Sequence, residues 1–277
     1  MRSTTQQSDV TVIGGGLAGV AAAIAAARLG SVVALINNRP VLGGNSSSEI
    51  RVWVCGATSH GAQKFARETG IMGELFTENQ FRNPEGNPHL WDMVILDAVR
   101  AEPNIRLYLN TDVHEVESAD NDGTQRINSV TGWQAGTETT VRFQSSVFID
   151  ATGDGLIGFL AGAQFREGRE GRDVFGETWA PEVPDSEMLG STLLFYTKDT
   201  GASVRFVAPD LSTNIAATSI LDHRRISTTT NGCDYWWIEW GGELDVVADN
   251  EVIRDELWAQ AGAQPHLRGR RARGRRA

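Results

Sequence analysis

Residues 9–30, DVTVIGGGLAGVAAAIAAARLG, constrain this chain more than any other stretch. Residues 10–13 read as a short buried strand. Gly14, Gly16 and Gly19 then fit G-x-G-x-x-G, and residues 17–29 read as a helix of good formers closed by Gly30. Each glycine has a mechanical task. Gly14 permits the tight turn out of the strand. Gly16, lacking a Cβ, lets a diphosphate approach the backbone. Gly19 lets the helix pack close to the strand. The helix start at Leu17 and Ala18 offers free N–H groups and a partial positive charge to an anion. A second strand at residues 31–36 completes the β-α-β context that gives the spacing its meaning.

The nucleotide is not fixed by the loop alone. An acidic residue after the second strand usually grips a ribose. VALINNRP puts Asn37 there, an amide without charge assistance, with Arg39 two residues on. Neither repels a 2′-phosphate, so FAD, NAD and NADP all stay open at this point. The segment PVLGGNSSSEIRVW follows, and Gly43, Gly44 and Asn45 suggest a second close approach to a ligand, along the pyrophosphate and ribityl part of a flavin nucleotide.

Farther along, residues 61–80 and 89–101 read as helices and 104–110 as the third parallel strand. VHEVES, INSVTGW and TTVRF then form a three-stranded antiparallel meander, with turns near 121–123 and 136. SSVFID returns as a separate buried strand ending in ATGDG. A plain dehydrogenase would continue with alternating strands and helices. The inserted meander is instead the organisation of flavoproteins with two dinucleotide-binding domains. Likeness to that class puts the backbone of Val113 at the adenine, and Ala151, Gly153 and Asp154 near the ribose and pyrophosphate. Asp154 also has the place to cap the helix that begins GLIGFLAG.

Composition removes other classes. Two cysteines, Cys55 and Cys233, give no zinc pattern and cannot ligate a four-iron cluster. No apolar run spans a bilayer, and the first eight residues lack the apolar core of a secretion signal, so a cytoplasmic protein without a membrane partner is expected. The net charge is −10, and the final residues hold six arginines, leaving −16 over residues 1–260. That acidic body repels nucleic acid. Residues 261–277 are expected to be a disordered, arginine-rich tail. Only two lysines, Lys64 and Lys198, stand against twenty-three arginines, a bias that suggests GC-rich coding and a truncated or out-of-frame end.

VIGGGLAGVAAAIAAARLG, RPVLGGNSSSEIRVWV, HLWDMVILDAV, DATGDGLIGFLAGA and WWIEWGGELDVVADNEVIRDELW together resemble the FAD-dependent oxidoreductases related to the flavin subunit of heterodisulfide reductase, from residue 9 to about 259. The resemblance implies FAD and a Rossmann-like α/β domain, a parallel sheet plus the meander, at residues 1–165, with a helical insertion at about 45–103. It also implies a partial, β-rich substrate domain at 166–260. The iron–sulfur cluster of some relatives finds no support in two cysteines.

The expected reaction is hydride transfer from a small organic substrate, a carbohydrate among the candidates, to the flavin. The sequence names no electron acceptor. An NADP-binding protein and an inactive fragment of a flavoenzyme are the alternatives. Weak candidates for the chemistry are His60 and Cys55, with His89 and His223 on less evidence. Each histidine is more readily structural than catalytic, and Cys55, without a partner thiol, is expected to be buried. Trp236, Trp237 and Trp240 could stack on a sugar, but core packing explains them as readily.

Overall fold

The computed structural model describes residues 2–52, 54–56, 62–63, 66–198, 207–213, 233–241 and 244–274. The chain divides into two compact units, Met1–Phe165 and Arg166–Ala277. The first holds β1 (Arg2–Ile13), α1 (Leu17–Arg28), β2 (Val33–Ile36), α2 (Gly70–Arg82), α3 (Pro88–Arg100), β3 (Ile105–Tyr108), β4 (Thr111–Asn121), β5 (Thr124–Gln134), β6 (Thr139–Asp150) and the short α4 (Leu156–Leu160). They form one six-stranded sheet in the order β3-β2-β1-β6-β5-β4. The run from β3 to β6 is parallel, and β6, β5 and β4 pair antiparallel. This is the α/β, Rossmann-like architecture expected.

The core follows from alternation along the central strands. Side chains two apart share a face of a strand. Val12, Val33 and Leu35 pack with Val20, Ala23 and Ile24 of α1 and with Val94, Ile95 and Val99 of α3. Ile13, Ala34 and Ile36 join Val113, Val130, Val141, Phe143 and Ile157 instead. Tyr108 meets Phe143 edge-on, with centroids 4.9 Å apart. β2 is buried along its whole length, as its unbroken VALI requires.

Two strands differ from expectation. β1 begins at Arg2, well before the apolar run, and pairs with β6 from Arg2↔Thr139 to Ile13↔Asp150. β6 is one strand, so TTVRF and SSVFID are continuous and the meander closes directly onto the parallel sheet. The polar residues Gln144, Ser145 and Ser146 hide this continuity. They are satisfied within the sheet, since the Ser145 hydroxyl meets those of Ser8 at 2.8 Å and Thr11 at 2.5 Å. The helix expected over 61–80 runs Gly70–Arg82, starting at a glycine with φ +60°. Residue 61 lies outside the described residues.

The second unit holds α5 (Arg172–Phe175), β7 (Ser191–Lys198), β8 (Cys233–Trp240) and α6 (Asn250–Gly274). β7 and β8 form an antiparallel pair. Ile253, Leu257 and Ala261 of α6 pack with Ile238, Leu193, Phe195 and Trp240, so Trp240 serves this core. Trp236 and Trp237 belong to the backbone of β8. The helical backbone of α6 continues to Gly274.

Candidate nucleotide site

The first glycine turn lies where β1, β2 and β6 end together. Gly14 donates its N–H to Ile36 O at 2.8 Å, and Ala151 donates to Ile13 O at 2.7 Å. Gly14 has φ +106°, and a Cβ there would lie 2.1 Å from Ala151 O. A Cβ on Gly19 would lie 1.9 Å from Gly14 O, so α1 crosses the turn as closely as backbones allow. Gly16 is different. The only atom within 4 Å of its added Cβ is Gly44 Cα, at 4.0 Å. Its conformation suits any residue (φ −65°, ψ 174°), so nothing among the described residues requires a glycine there. Gly16 is also the N-cap of α1, which has no side-chain cap and no acid in its first turn.

A second turn faces the first. Gly43 and Gly44 take φ of +110° and +56°, and Gly43 donates to Gly15 O at 2.8 Å. Side chains from α3 hold the residues that follow. Trp91 Nε1 donates to Ser46 Oγ at 3.1 Å, and Ser48 N–H donates to Asp92 Oδ1 at 2.8 Å. Asp92 is only 7% exposed. These two residues were not singled out from the sequence. The signal was an acid inside the apolar run HLWDMVIL, which burial obliges to find a partner.

A cavity of about 720 Å³ opens between the turns, all of it within the first unit. Gly14, Gly16, Leu17 and Ala18 line it, as do Gly43, Gly44 and Asn45. Asn37, Arg39 and Val113 line it beside the ends of β2 and β4, and Ala151, Gly153 and Asp154 beside the end of β6. Gly19 does not; it serves the helix–strand contact. Arg39 lies 3.9 Å from Glu49, an exposed and loose ion pair. The Asn37 amide is engaged with backbone: Gly15 N–H donates to its Oδ1 at 3.0 Å.

Asp154 does not cap α4. Asp150 does, accepting from Ile157 N at 2.9 Å and Gly158 N at 3.0 Å, and Thr152 Oγ1 accepts from Leu156 N. Asp150 ends β6 and therefore points back at the helix, whereas Asp154 is exposed on the cavity wall. Burial pushes the Asp150 carboxyl up. The hydrogen bonds from Thr152, Gly158 and Ile157 outweigh it and hold the group below the usual carboxylate range.

The catalytic candidates are not gathered here. His60 and His223 lie outside the described residues. His89 is exposed at the start of α3, away from the cavity lining. Cys55 is exposed, not buried as expected, and does not line the cavity. It sits outside any helix or strand, after the serine loop. Among the described residues, no cluster of three or more His, Cys, Asp or Glu could hold a metal. No helix among them is long and apolar enough to cross a membrane.

Sheet, uncapped helix start and the open, Cβ-free face of Gly16 define a dinucleotide-binding α/β protein. The chain belongs to the FAD dependent oxidoreductase family, whose model matches residues 9–261. FAD is that family's cofactor, and its diphosphate fits the space left beside Gly16 and the start of α1. No curated protein sequence matches the chain. Among solved structures, it is similar to L-proline dehydrogenase from P. horikoshii (19% identity, TM-score 0.34, covering 55% of this chain and 24% of that one). A geranylgeranyl bacteriochlorophyll reductase-like protein from Thermoplasma acidophilum is similar at 17% identity (TM-score 0.39, 58% and 43%). THI4 from Thermovibrio ammonificans is similar at 19% identity (TM-score 0.40, 64% and 76%). The chain thus spans less than half the length of the first two.

Proposed function

We propose that this chain binds FAD in the cavity between its two glycine turns and works in an oxidoreductase acting on a small organic molecule, a carbohydrate among the candidates. The observation that carries this reading is Gly16: Gly14 and Gly19 are required by backbone contacts inside the protein, and this one only by the space it leaves. When bound, FAD would accept the hydride. The chain's own contribution is to hold the diphosphate with the N–H groups of Leu17 and Ala18, while Val113 meets the adenosine end. Kinship with the flavin subunit of heterodisulfide reductase is supported by the length of the five shared motifs.

Flavin retention tests this directly. Purified protein should absorb near about 370 and 450 nm after gel filtration, as flavoproteins do. Gly16→Val should lose FAD while keeping its circular dichroism and melting temperature, because the valine enters ligand space. Unchanged flavin content in that variant removes the reading. A second reading, NADP binding, rests on neutral Asn37 and on Arg39 in the cavity lining. A colourless protein that binds NADP in a direct titration would favour it.

A further inference from the structure

We propose that Asn37 is a positioning residue: its carboxamide clamps the first glycine turn to the segment after β2, through a donor and acceptor set that a carboxylate lacks. Three hydrogen bonds converge on this side chain. Its Oδ1 accepts from Gly15 N–H at 3.0 Å, and its Nδ2 donates to Val41 O at 2.8 Å and Arg39 O at 3.3 Å. The partners fix the amide's orientation. Flipped, it would set N–H against N–H and oxygen against two carbonyls. The residue is 7% exposed, so unmatched groups here are costly.

Gly15 gives independent support. It occupies a variable position of G-x-G-x-x-G, yet an added Cβ would lie 2.7 Å from Asn37 Cγ and 2.6 Å from Leu42 Cδ2. The middle glycine of the triplet is therefore packed against two side chains, Leu42 and Asn37. A carboxylate at position 37 could still accept from Gly15, but it would face the carbonyls of Arg39 and Val41 with no hydrogen to give. Both amide hydrogens are committed and Gly15 N–H is consumed, so the diphosphate is left with the N–H groups that follow. Asn37 thus shapes the turn and contributes little grip on the ribose.

The inference uses the FAD reading only for its binding measurement. In the full chain without ligand, hydrogen exchange should show Gly15 N–H protected relative to Leu17 and Ala18. Equal exchange would overturn the proposal. Asn37→Asp should weaken FAD binding about tenfold at pH 8. Affinity should recover as the pH falls and the new carboxyl gains a proton to donate. The charged groups that line the cavity with it are Arg39, Glu49, Asp112 and Asp154. Equal or tighter binding by Asn37→Asp at pH 8 would mark the side chain as a ribose acceptor and overturn the clamp. Gly15→Ala should show a similar or larger loss, because its Cβ meets Leu42 as well as Asn37. If the unaltered chain binds no FAD, the cofactor reading falls, and Gly15 exchange alone decides the role of Asn37.

Discussion

The two glycine turns that face each other across the cavity are held by different means. Residues 14–19 are shaped by backbone against backbone: Gly14 against Ala151, Gly19 against Gly14, and the N–H of Gly14 on β2. Residues 43–48 take left-handed conformations at two glycines and are then tied down by Trp91 and Asp92, some forty-five positions away. The first turn is part of the sheet. The second is a loop secured to a helix by side chains, and it can loosen without dismantling the sheet.

That contrast can be broken most severely at Gly19. Gly19→Ala sets a Cβ on a neighbouring carbonyl and should cost roughly 3–5 kcal/mol of unfolding free energy, read by urea denaturation. Asp92→Ala leaves Ser48 N–H buried without an acceptor and should cost about 2 kcal/mol. It should also weaken nucleotide binding, while hydrogen exchange in β1 and β2 stays slow. Global unfolding as deep as that of Gly19→Ala would erase the distinction between the turns. Trp91→Phe keeps the stacked contact with Phe76 and removes only the bond to Ser46, a loss of about 1 kcal/mol or less.

The smallest effect lies at the third wall of the cavity. The folded-state pKa of Asp150 is depressed, so its contribution is present above the ordinary carboxylate pKa of about 4 and is lost as pH falls through the lower folded value. Melting temperature should therefore drop with acidification below about pH 4. Asp150→Asn should show a shallower drop over that range. Identical slopes would show that the cap on α4 carries no proton linkage.

Much of the first turn was legible because its logic is local. Strand, glycine spacing and helix sit within twenty-two residues, and steric rules assign each glycine. The second turn was legible as a glycine pair but not in what holds it, since Trp91 and Asp92 reach it only after α3 has packed. Asn37 was readable as a missing charge and not as a clamp, because its three partners are all backbone. The extent of β1 was hidden because Arg2 to Ser8 carry no apolar alternation; they pair with β6 on polar terms. Asp154 looked like the cap because it precedes α4 directly. Asp150 reaches that helix through the turn of residues 151–155, a geometry that linear spacing does not reveal.

The unbroken β6 joins the hairpins at its start to the cavity at its finish. One added residue in its middle would move everything beyond it by about 3.3 Å along the strand and turn each later side chain to the opposite face. Ala151 would then leave its place beside Gly14. Length changes in the outer hairpins are absorbed by their turns, whereas the same change inside this strand is delivered to the cavity.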